Sequence, residues 1–181
     1  MYNSKEFNNL SGISGISEKS LTTHFKLYQG YVTNTNKVLE KLKTIDQSSP
    51  EFAELKRRLG WEFNGMRLHE IYFNSLTTEK TEINQESKLY QKITKTFGSF
   101  ENWLKEFKAM GAMRGIGWVI LYYDELNDKL INTWINEHDQ GHLAGLKLIL
   151  PLDVFEHSFI IDSTKPDYIE AYINAINWPE I

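Results

Sequence analysis

An acidic residue and a histidine lie four positions apart, just after a strand-like apolar run. Asp153 and His157 supply a carboxylate oxygen and an imidazole nitrogen, a pair suited to iron, manganese or zinc rather than to copper(I). The chain has no cysteine, so any further protein ligands must be histidine, aspartate or glutamate. The sequence therefore predicts a metal site, and it excludes disulfides and thiol catalysis.

Two more histidines fall on the inward faces of predicted helices. The first helix is capped by Ser17 and carries His24. The second begins at Ser49, with Pro50 in its first turn, and carries His69. A lone inward histidine is usually a core residue that has found a hydrogen-bond partner. A shared metal would instead explain several buried imidazoles at once, and it would leave a coordination position open for water or a small substrate.

The remaining elements indicate an α+β fold. A polar stretch at 77–87 precedes two shorter helices, predicted at 87–97 and 100–110. Three β-prone runs at 118–123, 130–135 and 146–150 predict a small antiparallel sheet. Pro151 is expected to end the third strand, because proline cannot donate a ladder hydrogen bond. A final helix is predicted from Pro166 to Ala175.

Composition excludes several classes of function. The chain has 181 residues, a net charge of −4 and a pI near 5.8, so it offers no basic field for nucleic acid. No apolar run approaches the roughly 18 residues that a membrane span needs. The first ten residues also lack the pattern of a secretory signal. We therefore expect a cytoplasmic protein that binds neither nucleic acid nor membrane.

These residues together resemble the iron/manganese superoxide dismutase family. The stretch from Asp153 to His157 matches its Asp-x-Trp-Glu-His signature, with Phe155 in place of the tryptophan. Other matching stretches cover nearly all of the chain after about residue 13, at 24–36, 69–73, 98–100, 115–118, 166–168 and 177–178. The resemblance implies an N-terminal α-helical hairpin domain at 1–84 and a C-terminal α/β domain at 85–181 with a three-stranded antiparallel sheet.

The resemblance also implies an activity, the disproportionation of superoxide to oxygen and hydrogen peroxide. The implied cofactor is one iron or manganese ion per subunit, held by His24, His69, Asp153 and His157. Tyr31 matches the tyrosine that gates the substrate channel in the family, and Tyr28 is the alternative.

The donor to the metal's solvent ligand is expected from the sheet loop. Gly65 stands where iron enzymes of the family often supply a glutamine, so the donor must come from elsewhere. His138 aligns with the loop position that supplies it in manganese enzymes, and some iron or metal-tolerant members carry histidine there. This resemblance favours iron. The alternative is a solvated loop histidine.

The chain departs from the family pattern at the first helix and at the expected interface. One residue fewer separates His24 from Tyr31, which predicts a straighter helix. Tyr28 and Ile160 replace a histidine and a tyrosine that the family commonly pairs across subunits. Glu156, which in the family reaches a ligand histidine of the other subunit, is kept. A homodimer with Glu156 at its interface is therefore expected.

Two further positions leave alternatives open. Arg67 stands where a tryptophan often precedes the second ligand, and it either draws superoxide inward by its charge or forms an exposed salt bridge. His142 matches no family role and is interpreted as a loop residue.

Two functions fit this sequence. One is a superoxide dismutase, and the other is a catalytically weak or inactive metal-binding relative that keeps the dismutase fold. A mononuclear iron oxygenase fits less well, because a fourth protein ligand leaves too few open positions.

Overall fold

Two long helices form an antiparallel hairpin in the computed structural model, which describes residues 1–181. Helix α1 (Glu18–Lys41) begins after Ser17, whose side chain accepts a hydrogen bond from the Ser20 amide. Helix α2 (Pro50–Asn74) begins after Ser49, which caps it in the same way. Helix α1 is α-helical throughout, without a π-bulge. This agrees with the straighter helix predicted from the shorter spacing between His24 and Tyr31. The hairpin thus brings His24, near the start of α1, beside His69, near the end of α2.

The second half combines three helices with three strands. Gly98, in the left-handed region at φ 85°, ends the first of these helices, and Ser99 caps the next. Short 3-10 turns occur at Asn8–Leu10, Glu156–Ser158 and Trp178–Glu180. The elements in chain order are α3 (Lys88–Phe97), α4 (Phe100–Gly111), β1 (Gly117–Asp124), β2 (Lys129–Asn136), β3 (Lys147–Asp153) and α5 (Lys165–Asn174).

The three strands form one antiparallel sheet in the order β2-β1-β3. The central strand β1 is buried from Gly117 to Tyr122, which agrees with its nearly continuous apolar sequence. Asp128, at φ 51°, helps to turn the chain from β1 into β2. The predicted α+β fold, a helical hairpin followed by a three-stranded antiparallel sheet, is confirmed.

The prediction that Pro151 ends the third strand is wrong. Pro151 lies inside β3 opposite Ile120, and the strand continues to Asp153. The physical reason is that β3 is an edge strand, where a residue without an N–H group removes no ladder bond if it faces away from its neighbour. The Pro151 carbonyl indeed accepts a hydrogen bond from the Tyr172 hydroxyl of α5, at 2.7 Å.

A single apolar core joins the two halves of the chain. It contains 30 buried apolar residues contributed by both the helical hairpin and the sheet. Met66 and Tyr72 of α2 belong to it, as do Trp118 of β1 and Tyr172 of α5. No helix is both long enough and apolar enough to cross a lipid bilayer.

Candidate metal centre

Four residues from four different elements converge in this core. Their ligand atoms all lie within 4.8 Å of one another. Three of the residues are buried and the fourth, His157, is partly buried. The set consists of His24 of α1, His69 of α2, Asp153 at the end of β3, and His157 in the 3-10 turn that follows.

One carboxylate oxygen is the common point of this cluster. Oδ2 of Asp153 lies 3.1 Å from Nε2 of both His24 and His157. Nε2 of His69 is 3.5 Å from the same oxygen, without forming a hydrogen bond. Three imidazole nitrogens and one carboxylate facing a single point form a donor set of the kind that binds iron, manganese or zinc.

His69 is prepared for a ligand by its second ring nitrogen. Its Nδ1 lies 2.6 Å from the Gly65 backbone oxygen, which can only accept, so Nδ1 carries the proton. The Nε2 atom is then unprotonated, buried and without a hydrogen-bond partner. Burial lowers the pKa of His69 well below its ordinary value, so the ring is neutral and its lone pair is available to a metal.

Asp153 owes its position to the sheet and to the turn that follows. It pairs with Trp118 in the β1–β3 ladder, and its Oδ1 accepts a hydrogen bond from the Phe155 amide at 2.9 Å. Burial acts to raise the pKa of Asp153, but its interactions with His157 and His24 hold it well below the ordinary value. The carboxylate is therefore ionised, as a metal ligand requires.

Gly117 permits the close packing beside this pair. It has a φ of 144°, and a Cβ atom there would lie 1.9 Å from the Ile135 backbone oxygen. The Gly117 carbonyl also accepts a hydrogen bond from the Val154 amide, at 2.9 Å. The glycine thus lets the start of β1 contact both β2 and the turn that carries His157.

A hydrogen-bonded row of three side chains adjoins the cluster. The Trp118 indole, which can only donate, donates to Nδ1 of His138 at 3.0 Å. In the neutral ring the proton is therefore on Nε2, which lies 2.9 Å from the Tyr31 hydroxyl oxygen. Tyr31 accepts this bond and keeps its own O–H group free to donate. Burial lowers the pKa of His138 to about 4, so the ring is neutral at physiological pH.

Aromatic rings enclose this row. Phe155 stacks on both His138 and His157, with ring centroids 4.7 and 5.2 Å apart. Trp61 packs edge-on against Tyr31 and His138, at 5.4 and 4.6 Å. Phe155 therefore forms the wall at the position of the family's tryptophan. Trp61 is not predictable from the sequence, because its contacts with Tyr31 and His138 are made only in the folded chain.

The backbone at Gly65 accommodates the Tyr31 ring. A Cβ atom at Gly65 would lie 2.8 Å from Cδ1 of Tyr31 and 3.0 Å from two further ring atoms. A glutamine at position 65 is therefore incompatible with this placement of Tyr31. His138 reaches the tyrosine hydroxyl from the loop between β2 and β3.

Tyr31 and Tyr28, the two candidates for the tyrosine that gates the substrate channel, have different hydrogen-bond partners. Tyr28 is buried and does not join the Tyr31 row. Its hydroxyl accepts a hydrogen bond from the Lys5 amide at 2.8 Å and donates one to Glu70 at 3.1 Å. Arg67 bonds the same Glu70, at 2.6 Å, and its charge is engaged there rather than facing the ligand cluster.

The two residues assigned to an interface lie on the surface. Glu156 is exposed, and Ile160 is 67% exposed. His142, interpreted as a loop residue without a role, is partly buried and bonds both Tyr122 and the backbone of His138. The only sequence signal for this contact is the spacing of four residues between His138 and His142.

Known proteins similar to this chain share both halves of its architecture. The α-hairpin domain of iron/manganese superoxide dismutases matches residues 13–77, and their C-terminal domain matches residues 85–181. The chain is 34% identical to a superoxide dismutase [Fe] of Methanothermobacter thermautotrophicus, covering 92% of this chain and 84% of the relative. It is 34% identical to superoxide dismutase [Mn] 2 of Haloferax volcanii, with 91% and 84% covered. It is 35% identical to a superoxide dismutase [Fe] of Cupriavidus metallidurans, with 92% and 86% covered.

The hairpin, the sheet and the four-residue cluster between them define a metalloprotein with a mononuclear site at the junction of its two halves. The two matching domains identify it further. The chain belongs to the iron/manganese superoxide dismutase family.

Proposed function

We propose that this protein is a superoxide dismutase that uses one iron or manganese ion. The observation that carries the proposal is the convergence of three histidine nitrogens and one carboxylate within 4.8 Å in a buried setting. The unpartnered Nε2 of His69 supports a resident metal, because a buried polar atom without a partner is costly. The relatives named above are called iron or manganese enzymes.

The ligands proposed for this ion are His24, His69, Asp153 and His157. When bound, the metal would take an electron from one superoxide and return it to a second. The single carboxylate would lower the net charge of the site by one, whereas the three neutral imidazoles would not change it. The site would therefore stay positive with either a dipositive or a tripositive ion. Burial of the cluster keeps water from competing with a small substrate.

The proposed catalytic residues beyond the ligands are Tyr31 and His138. Reduction of the second superoxide needs protons. The free O–H group of Tyr31 is the proposed donor, because the Tyr31 ring lies 5.1 Å from that of His69. His138 fixes the direction of that hydroxyl by donating to its oxygen. Burial raises the pKa of Tyr31, so the tyrosine remains protonated.

Three finer proposals concern the metal, the assembly and the location. Iron is favoured over manganese, because His138 rather than glutamine occupies the loop position. A homodimer with Glu156 at its interface is supported by the exposure of Glu156 and of the neighbouring apolar Ile160. A cytoplasmic location stays a prediction from the sequence.

The test is superoxide dismutation by the purified protein, loaded separately with iron and with manganese, with metal content measured in each preparation. Fast turnover with at least one metal is expected. The control is His157→Ala, which removes one proposed ligand and should lose both metal and activity. A fully loaded protein that is inactive with both metals would instead indicate an inactive metal-binding relative.

A further inference from the structure

His142 connects the sheet to the loop that carries His138. Its Nε2 lies 2.9 Å from the His138 backbone oxygen, and its Nδ1 lies 2.6 Å from the Tyr122 hydroxyl. A carbonyl oxygen can only accept, so Nε2 carries the proton and Nδ1 accepts from the tyrosine. Burial raises the pKa of Tyr122 to about 12, so its hydroxyl keeps the proton that it donates.

The other hydrogen bonds of the loop involve Asn136, Glu137 and Gln140 rather than the His138 carbonyl, and they include a bond from the Glu137 amide to the Ile116 carbonyl at 3.3 Å. His138 follows Glu137, which has a φ of 50°, a conformation that residues with side chains rarely adopt. Bonds between the Asn136 and Gln140 backbones close the turn, and the Glu137 side chain accepts from the Trp61 indole at 2.7 Å. The His138 carbonyl itself receives a single hydrogen bond, from His142. The direction of this peptide group therefore depends on His142.

We propose that His142 is a positioning residue, which orients His138 so that its two ring nitrogens meet Trp118 and Tyr31 together. Both ring bonds are near 3 Å, and small displacements of a catalytic group cause large losses of rate. The kinetic consequence rests on the proposed function, but the orientation of His138 is measurable without turnover.

Four variants of the 181-residue chain separate this role from general stability. His142→Leu removes both hydrogen bonds, whereas His142→Gln keeps one donor and one acceptor. Tyr122→Phe removes only the outer bond and retains the ring. Tyr123→Phe is the matched control, because it deletes a neighbouring tyrosine hydroxyl that bonds Asp128, at 2.9 Å, rather than the His138 loop.

Two measurements are made on each variant. In zinc-loaded, [15N]histidine-labelled protein, the wild-type His138 should show one tautomer with its two nitrogen signals widely separated. His142→Leu should bring these signals together, and kcat/KM should fall about tenfold at unchanged metal content in the redox-active form. Tyr122→Phe should change both readouts in the same direction but less. His142→Gln and Tyr123→Phe should resemble the wild type.

Two results would overturn the proposal. One is an unchanged His138 spectrum in His142→Leu, and the other is a His142→Gln variant as impaired as His142→Leu. If the wild type fails to dismutate superoxide with either metal, the proposed function fails, and the spectra alone still decide whether His142 orients His138.

Discussion

The hydroxyl groups of Tyr28 and Tyr31 lie on the same helix and serve different partners. Tyr31 bonds His138 beside the ligand cluster. Tyr28 bonds Lys5 and Glu70, so it fastens the N-terminal segment to the hairpin. We therefore assign the first contact to the proposed chemistry of the site and the second to the stability of the fold.

Phenylalanine substitutions should separate these two roles. Tyr31→Phe should lower kcat by about tenfold, because the proton donor is lost, with little change in the free energy of unfolding. Tyr28→Phe should lower the free energy of unfolding by about 1–3 kcal/mol, because two partners lose a buried hydrogen bond. Steady-state kinetics and urea denaturation measure the two effects. A larger kinetic loss in Tyr28→Phe than in Tyr31→Phe would contradict the assignment.

The depressed pKa of His138 predicts a pH dependence of stability. The unfolded chain takes up a proton near pH 6.5, whereas the folded protein does so near 4. The contribution of His138 to the free energy of unfolding is therefore fully present above about pH 6.5 and is lost as the pH falls toward 4. The loss is about 3 kcal/mol at most. In metal-free protein, the advantage of wild type over His138→Gln should shrink by that amount from pH 7 to pH 4. Denaturant titrations at each pH measure the free energy of unfolding of both proteins. A difference between them that does not change with pH would refute the prediction.

The sequence predicted the four clustered residues because ligand types at regular helix and strand positions leave a local pattern. It did not predict the partners of Tyr28 and His142. Tyr28 meets Glu70 across 42 positions and His142 meets Tyr122 across 20. Such bonds depend on how helices and strands pack against one another. The periodicity of apolar residues along the sequence does not predict them.

At the level of elements, the contact between α1 and α2 sets the position of Tyr31. The helices approach closely where Gly65 faces the tyrosine ring. The same sequence pattern predicted both helices and their caps, since capping residues and apolar periodicity are local signals. Strand β3 was predicted too short, because the penalty for proline in a sheet does not apply at an edge.

A pair of glycine substitutions tests this contact. Gly65→Ala should reduce the free energy of unfolding by about 1–3 kcal/mol and lower kcat/KM, because the new Cβ displaces the Tyr31 ring. Gly60→Ala is the control in the same helix, with no atom within 4 Å of the added carbon. It should stabilise the protein by about 0.5–1 kcal/mol through helix propensity. Thermal denaturation and kinetics measure both. Equal effects from the two changes would count against a specific Gly65–Tyr31 contact.

At the level of the whole molecule, the site exists only where the two halves meet. The hairpin supplies two of the clustered residues and the second half supplies the other two, while one apolar core crosses the junction. We propose that the parts at 1–84 and 85–181 are structural domains that depend on each other for this site. A bound metal would then stabilise the folded chain as a unit.

The proposed dimer predicts a concentration-dependent association that Ile160→Lys abolishes. A charge in an apolar interface is costly to bury, so the variant should sediment as a monomer. Leu126→Lys is the control, because Leu126 is 96% exposed in the turn between β1 and β2. This substitution should leave association unchanged. Sedimentation velocity over a range of concentrations gives the result. A monomeric wild type would refute the dimer, and a dimeric Ile160→Lys would place the interface elsewhere.

Pro151 has one further consequence, for how copies of the chain meet in a concentrated solution. An exposed edge strand invites a strand of another molecule to pair with it, which is a common start of aggregation. On the outer side of β3, Pro151 has no amide to offer, and its carbonyl is already occupied by Tyr172. Strand addition at this position is therefore blocked, and Asp153, the proposed metal ligand two residues away, is protected from the distortion that such pairing would cause.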